Sequence, residues 1–194
     1  TGLHLRNGNL SGIQIEQKNP DGQTVSAELA ARQIILAIGH SARATMSWLV
    51  REPILIEPKP FSLGVRIEHL QADIDRCQYG ALAGHPQLPP ADYKLACHLP
   101  SGRSVYTFCM CPGGQVVAAA SETGGVVTNG MSLFARAQTN ANSAMLVGVD
   151  PSDFPDQSPL GGMIWQQQIE QLAFTAGGRA YRAPAQRAGS FLRK

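Results

Sequence analysis

The sequence predicts a mixed α+β fold, in which a β-meander precedes a mixed β-sheet with flanking helices. Short segments that alternate apolar and polar residues recur along the chain and are typical of half-buried strands. A continuous apolar run, Arg32–Ile38, is typical of a strand buried on both faces of a parallel sheet. A longer stretch, Gly161–Gly177, carries apolar residues at helical spacing and ends at a glycine pair.

The composition indicates a globular protein and argues against several classes of function. Of the 194 residues, 43% are hydrophobic and 15% are charged, which is enough for a hydrophobic core. A net charge of +2 without a dense Lys/Arg stripe does not indicate nucleic-acid binding. The apolar runs are too short to cross a bilayer, and the N-terminus has no signal-peptide pattern. The four cysteines are therefore expected to be reduced thiols in a cytoplasmic protein.

The first fifty residues predict a meander, the buried strand and a helix. Gly12–Lys18 and Thr24–Leu29 alternate in hydrophobicity, and Asn19–Gly22 between them is a strong turn signal. The apolar run that follows ends at Gly39, where an α/β sheet admits a ligand. Ala42–Arg51 then has apolar residues at helical spacing.

Three prolines between residues 53 and 60 predict the boundary between two folding units, 1–52 and 53–190. In the second unit we predict five strands and two helices. The strands are Phe61–Glu68, Tyr93–His98, Val105–Cys111, Val116–Ser121 and Asn140–Val149, and a short helix lies near Leu70–Tyr79. The second helix is Gly161–Gly177, and its predicted apolar face consists of Ile164, Gln168, Ile169, Leu172, Ala173 and Phe174. The Pro112-Gly113-Gly114 turn predicts a hairpin between the strands on either side of it. The glycine-rich stretch Thr123–Gly130 predicts an irregular loop.

Two cysteines, Cys109 and Cys111, are separated by one residue. On a regular strand their side chains share a face, and Cys97 with His98 could complete a metal-binding set. Structural zinc sites place two to four residues between paired cysteines, so this spacing argues against a metal. An extended strand also holds the two Cα atoms near or beyond the disulfide range of about 4.4–6.8 Å. Small buried hydrophobes are the favoured interpretation, and a redox thiol remains the alternative.

Other candidate residues have an ordinary structural explanation beside a functional one. The glycines of Pro112-Gly113-Gly114 allow either a tight turn or the close approach of backbone to a flat ligand. Arg66 shares a strand face with Glu68, so an ion pair and an anion contact are both consistent with it. Arg187 lies in a basic terminal segment that predicts a surface loop or an anion clamp. No GxGxxG, GxxxxGK[ST] or HExxH motif occurs.

Six stretches together resemble one family: ILAIGHSAR (Ile35–Arg43), KPFSLGVRIEH (Lys59–His69), CMCPGGQVV (Cys109–Val117), ETGGVVTNGMS (Glu122–Ser132), NANSAMLV (Asn140–Val147) and YRAPAQR (Tyr181–Arg187). They resemble the uncharacterised bacterial FAD-dependent dehydrogenases, flavoproteins with a glutathione-reductase-like FAD-binding domain and an inserted second domain. The resemblance implies an internal fragment: part of the FAD-binding domain at 1–52, with its meander, buried strand and helix, and the inserted substrate domain, or cap, at 53–190. The glycine fingerprint that holds the pyrophosphate is expected outside this fragment.

The resemblance also implies where ligands bind. FAD contacts are expected at Gly39, His40, Ser41, Pro112, Gly113 and Gly114, and substrate contacts at Arg66, Gly125, Thr128, Asn129 and Arg187. Cys111 is the candidate catalytic residue, and no metal is expected. FAD is expected in the longer parent protein rather than in the fragment, with NADH or NADPH as a candidate electron donor.

Two functions follow as hypotheses. The first is the substrate domain of an FAD-dependent oxidoreductase that acts on an unknown small molecule, with the fragment inactive when isolated. The second is a stand-alone binding or oligomerisation module without catalytic activity. No nucleic-acid or membrane partner is expected, and exposed apolar surface on residues 1–52 predicts self-association into homo-oligomers.

Overall fold

A computed structural model describes residues 2–193 and divides the chain into two compact units, Thr1–Glu57 and Pro58–Lys194. Both contain sheet and helix, so the predicted α+β class is confirmed. All strand pairs among the described residues are antiparallel, so the sheet of the second unit is not mixed. No helix in this part of the chain is long and apolar enough to cross a membrane.

The first unit contains the predicted meander. Its strands are β1 (Gly2–Arg6), β2 (Asn9–Lys18) and β3 (Thr24–Ala30), which pair in that order. The turn between β2 and β3 is closed by a hydrogen bond of 2.9 Å from the Gly22 amide to the Asn19 carbonyl. The predicted helix also forms, as α1 (Arg43–Leu49).

The apolar run Arg32–Ile38 is not a strand, and the prediction of a strand buried on both faces is wrong for this chain. The run has no sheet partner among residues 2–193. Ile35 is 93% exposed and Leu36 is 54% exposed. A buried parallel strand needs neighbouring strands on its edges and helices on its faces. The described chain supplies neither to this segment.

The second unit is built around a four-stranded antiparallel sheet. Its elements in chain order are β4 (Phe61–Leu70), α2 (Gln71–Tyr79), β5 (Ala96–His98), β6 (Ser104–Cys111), β7 (Gly114–Ala119), β8 (Val127–Ser132), β9 (Asn140–Val149), α3 (Gly161–Ala176) and α4 (Ala188–Phe191). The sheet order is β4-β9-β6-β5. Strand β9 is therefore central, although it is the last of the four in sequence, and β5 is shorter than the predicted strand Tyr93–His98.

The predicted hairpin between β6 and β7 is wrong. Strand β7 pairs with β8 in a separate two-stranded sheet, while β6 pairs with β5 and β9. Gly113 adopts a φ of +49°, and the turn at this residue takes the chain out of the larger sheet. The second half of Thr123–Gly130, predicted as loop, is strand β8, because it finds a partner in β7.

An aromatic cluster fixes α3 against the four-stranded sheet. The rings of Phe61, Phe154 and Trp165 have centroid separations of 5.4 to 6.2 Å. Gly162 lets the helix approach them, since a Cβ there would lie 3.0 Å from ring atoms of both phenylalanines. The predicted apolar face is wrong in part, because Leu172 is 69% exposed. Trp165, which that face did not include, contributes the contact instead.

Candidate functional site

Arg66 lies where four strands meet. Its guanidinium donates to the side chain of Asn142 on β9 and to the carbonyl oxygen of Cys109 on β6, with an Nη2–O distance of 3.4 Å. Nη1 also lies 3.9 Å from the Sγ atom of Cys111. On β8, Gly130 leaves the space that the guanidinium occupies, because a Cβ there would collide with it. The predicted anion-contact residue therefore binds neutral groups of this chain.

Glu68, the predicted ion-pair partner of Arg66, forms hydrogen bonds with other residues instead. The Glu68 carboxylate accepts from the Val116 amide at 3.3 Å and from the Asn140 side chain at 2.8 Å. These contacts tie β4 to β7 and to the start of β9. The face that Arg66 and Glu68 share thus serves to hold the two sheets together.

The cysteine pair lies on a β-bulge, and the prediction that the two side chains share a face is wrong. Phe108 pairs with Ala144 and Cys111 pairs with Asn142, so two residues of β6 oppose one residue of β9. Cys109 has a φ of +50°, in the left-handed region. A bulge breaks the period-two alternation of a strand. As a result Cys109 is exposed, while Cys111 is only 7% exposed.

The Pro112-Gly113-Gly114 turn is buried within the second unit. The Gly113 amide donates to Gln71 Oε1 at 2.8 Å. A Cβ at Gly113 would collide with the backbone of Arg136, and one at Gly114 would collide with the backbone of Met131. The close approach that these glycines allow is to the chain's own backbone, so the turn offers no open cradle for a flavin ring. Its contact with FAD stays a prediction.

Gly39, His40 and Ser41 are all exposed in the first unit. Gly39 has a φ of +71°, and no atom lies within 4 Å of the position that its Cβ would take. This short segment is open to a ligand on the side where a Cβ would project. Its contact with FAD stays a prediction.

The remaining predicted substrate residues lie in several places in the second unit. Gly125 is buried, and a Cβ there would lie 3.3 Å from the side chain of Glu170 on α3. Thr128 is half-buried and Asn129 exposed on adjacent positions of β8. Arg187 is exposed, and its carbonyl accepts the Ser190 amide at the start of α4. In the described part of the chain, no side-chain hydrogen bond or ion pair joins these four residues to Arg66.

The set of residues weighed for a metal does not come together. Within residues 2–193, no group of three or more His, Cys, Asp or Glu side chains could hold a metal ion. The Cys97 thiol lies 3.8 Å from the carbonyl of His98, and the His98 ring nitrogen Nδ1 lies 2.7 Å from the Ser104 hydroxyl.

A polar group that the sequence did not reveal adjoins the Arg66 site. His69 Nε2 lies 2.7 Å from the Tyr93 hydroxyl, and burial raises the pKa of Tyr93, although a hydrogen bond with Ser143 acts in the opposite direction. Asn142 and Ser143 are fully buried on β9. Asn142 and Ser143 are too far from β4 in the sequence for a spacing motif to relate them to His69. The pairing of β4 with β9 brings these residues together.

A second arrangement that the sequence did not reveal lies near the other end of the sheet. Arg103 donates to both carboxylate oxygens of Asp153, and its Nη1 donates to the Gly148 carbonyl at 3.0 Å. Hydrogen bonds from Arg103 and from the backbone of Asp150 lower the pKa of Asp153. Beside the pair lies an open groove of about 460 Å³, partly lined by Tyr106.

These features define an α+β domain in which a two-stranded sheet joins a larger antiparallel sheet through a central arginine. Residues 60–194 match the family described as "FAD-dependent protein, C-terminal domain-like", and the chain belongs to this family. A relative from Clostridium beijerinckii (strain ATCC 51743 / NCIMB 8052), described as an uncharacterized protein, is 47% identical over 192 residues. The alignment covers 98% of this chain and 34% of the relative, so the chain spans about a third of the relative's length.

Proposed function

We propose that this chain is the substrate-domain segment of an FAD-dependent oxidoreductase, a dehydrogenase in its longer parent protein. The observation that carries the proposal is the family match over residues 60–194, which extends over the whole of the larger sheet. The length of the relative supports it, since about two thirds of that protein lies outside the region of similarity. The larger protein has room for a separate cofactor-binding domain.

The flavin would supply the hydride and electron transfer, while the protein supplies binding and orientation. In this chain, the exposed segment Gly39–Ser41 is the part best suited to lie against FAD, because its backbone is open. The second unit would cover the flavin and shape the pocket for the substrate. The hydrogen bonds of Arg66 to β9 and β6 support such a role, because a pocket wall must hold its shape.

The exposed apolar run Arg32–Ile38 is consistent with this proposal. A run of this composition is stable as a buried strand only when other strands flank it. We propose that the remainder of the parent protein supplies those strands. Ile35 and Leu36 would then be covered in the whole protein.

The test uses the longer parent protein, purified with its flanking sequence. We expect it to purify with flavin, or to take up added FAD, and to show the visible flavin absorbance. Bleaching of that absorbance under anaerobic conditions by NADH or NADPH would identify the electron donor. The 194-residue chain is the control and should bind FAD weakly. A parent protein that is colourless and rejects added FAD would overturn the proposal.

A binding or oligomerisation module without catalytic activity is the second candidate. The exposure of Ile35 and Leu36 favours it, because large apolar patches on a surface mark sites of association. For this candidate, light scattering should show a defined oligomer of the parent protein that carries no flavin. A flavin-bound monomer would exclude it.

A further inference from the structure

We propose that the open groove beside Arg103 binds a neutral polyhydroxylated small molecule, a sugar or a sugar alcohol. This inference does not depend on the flavin function proposed above, and the groove shares no lining residue with the Arg66 site. It is based on a row of hydroxyl and small residues across the sheet, on the open space above Gly148 and on the charges that line the groove.

The row of hydroxyl and small residues crosses three strands at the groove. Ser62 on β4 pairs with Gly148 on β9, and the register of β6 with β9 places Ser104 beside Gly148 on its other side. Directly opposed residues of an antiparallel sheet share a face, and Tyr106 lies on the same face two residues from Ser104. The groove of about 460 Å³ is lined by Gly148, Ser104 and Tyr106. An adjoining hollow of about 370 Å³ is lined by Ser62 and again by Gly148.

Helix α3 packs on the opposite face of the sheet at this point. Phe61 pairs with Val149 one position away from the row, so these two side chains point to the other face. There Phe61 contacts Trp165 of α3, and Val149 is buried. The row therefore lies on the face that α3 leaves open.

Gly148 forms an open floor in the groove. No atom lies within 4 Å of the position that a Cβ of this residue would take, and its φ is not in the left-handed region. At Gly64 and Gly114, by contrast, a Cβ would collide with the backbone of a neighbouring strand. Neither packing nor backbone conformation thus requires glycine at position 148. A glycine inside a strand often marks a place where a ligand approaches the backbone closely.

The polar groups of the groove suit hydroxyl ligands. The hydroxyls of Ser62 and Tyr106 lie 2.6 Å apart, so one donates to the other and one hydroxyl hydrogen is left for a ligand. The Oδ1 atom of Asp150 accepts the Ser152 amide at 2.9 Å, whereas Oδ2 accepts no hydrogen bond from residues 2–193. Sugar hydroxyls both donate and accept, so one ligand can accept from the hydroxyl pair and donate to this carboxylate.

The charges that line the groove favour a neutral ligand. Arg103 donates to both carboxylate oxygens of Asp153, so its positive charge is already balanced within the chain. Asp150 is a further carboxylate in the lining. A phosphate or carboxylate ligand would therefore meet a net negative charge, and like charges brought together are unfavourable. A sugar hydroxyl avoids this repulsion.

The test is saturation-transfer-difference NMR of D-glucose and D-sorbitol with the 194-residue chain. We expect saturation transfer to the carbon-bound protons of at least one probe, with a dissociation constant in the millimolar range, because an open groove encloses only part of a small ligand. Preference for glucose would identify a ring as the ligand, and preference for sorbitol an open chain. D-glucose 6-phosphate should bind more weakly than glucose, since its phosphate faces the carboxylates.

Gly148→Val blocks the groove without disturbing the strand, because the site of the new side chain is empty and β-branched residues suit strands. It should weaken binding of the preferred probe by about tenfold or more and leave the melting temperature unchanged. Tyr106→Phe keeps the ring but removes the hydroxyl, and it should weaken binding about two- to tenfold. Ala118→Val, at an exposed position of β7 outside the groove lining, is the matched control and should bind like the natural chain.

Three results would each overturn the proposal: no saturation transfer to either probe, equal affinity of Gly148→Val and the natural chain, or tighter binding of glucose 6-phosphate than of glucose. The longer parent protein must give the same result, and loss of binding there would overturn the proposal for the whole protein.

Discussion

The side chain of Arg66 joins β9 and β6 to its own strand and fills a space beside β8. Its contacts on β9 and β6 are hydrogen bonds to an amide oxygen and a carbonyl, and on β8 the absence of a Cβ at Gly130 makes room for the guanidinium. A buried acceptor that loses its donor keeps the full cost of desolvation. The Arg66 side chain therefore stabilises the fold, whether or not an anion also binds nearby.

Arg66→Met should therefore lower the free energy of unfolding by about 1–3 kcal/mol, since the fully buried side chain of Asn142 loses its donor. Urea denaturation measures the change. Arg187→Met is the matched control, because Arg187 is exposed, and such a surface change should stay within about 0.5 kcal/mol. Equal free energies of unfolding for the two variants would contradict the conclusion that Arg66 stabilises the fold.

The Arg103–Asp153 pair gives a prediction about pH. The pKa of Asp153 lies below its ordinary value of 3.8 in the folded chain, chiefly because Arg103 donates to it. A lowered folded-state pKa stabilises the fold above the ordinary value, and that contribution is lost as the pH falls through the folded-state pKa. The ion pair is thus effective at neutral pH and disappears in acid.

Asp153→Asn should consequently lower the melting temperature at neutral pH, and the difference from the natural chain should shrink as the pH falls below about 4. Thermal unfolding followed by circular dichroism across this range measures it. Asp21→Asn, in the turn of the first unit, is the charge-matched control. A difference that stays constant down to the acid limit would show that the carboxylate charge is not responsible.

Among the elements, α3 depends on a small aromatic cluster. Phe154 is 4% exposed and touches both Phe61 and Trp165, while Phe134 is fully exposed on a loop. The two phenylalanines are chemically identical, so their difference isolates the effect of burial.

Phe154→Ala should destabilise the chain by about 3–5 kcal/mol, because it removes buried apolar surface and leaves a cavity. Phe134→Ala should have almost no effect. Urea denaturation of the two variants side by side provides the measurement. Comparable losses would mean that the aromatic cluster does not anchor the helix.

At the scale of the whole molecule, the exposed run Arg32–Ile38 is the feature with the widest consequences. Ile35 is 93% exposed on a segment without a strand partner in the described residues. Such apolar surface favours association. We expect the 194-residue chain to self-associate in solution through this run.

Ile35→Asp should shift the chain toward monomer, since a carboxylate in an apolar contact is costly to desolvate. Light scattering at several protein concentrations measures the shift. Gln33→Asp is the control for charge alone, because it adds the same single negative charge at an exposed polar position of the run. A natural chain that is already a monodisperse monomer would contradict the prediction.

Local patterns determined most elements of the chain. The meander, β4, β9, α1, α2 and α3 follow from alternation, helical spacing and turn residues, which act between near neighbours. The same reasoning identified the glycine turn at Pro112–Gly114, but it did not predict the contacts of Arg66 with Asn142 and Cys109. It could not show that the turn is buried under Met131 and Arg136, because those residues approach it only in the fold.

Tertiary structure decided the pairing and the surroundings of those elements. The partner of β7, the bulge at Cys109 and the His69–Tyr93 contact depend on which strands lie side by side, and a strand's own residues do not specify its partner. The run Arg32–Ile38 shows the same limit, because its composition signals burial but the residues that would bury it must come from elsewhere. The sequence by itself determined the local conformations and the family likeness. Long-range contacts decided that the Cys109 thiol is exposed and the Cys111 thiol is buried.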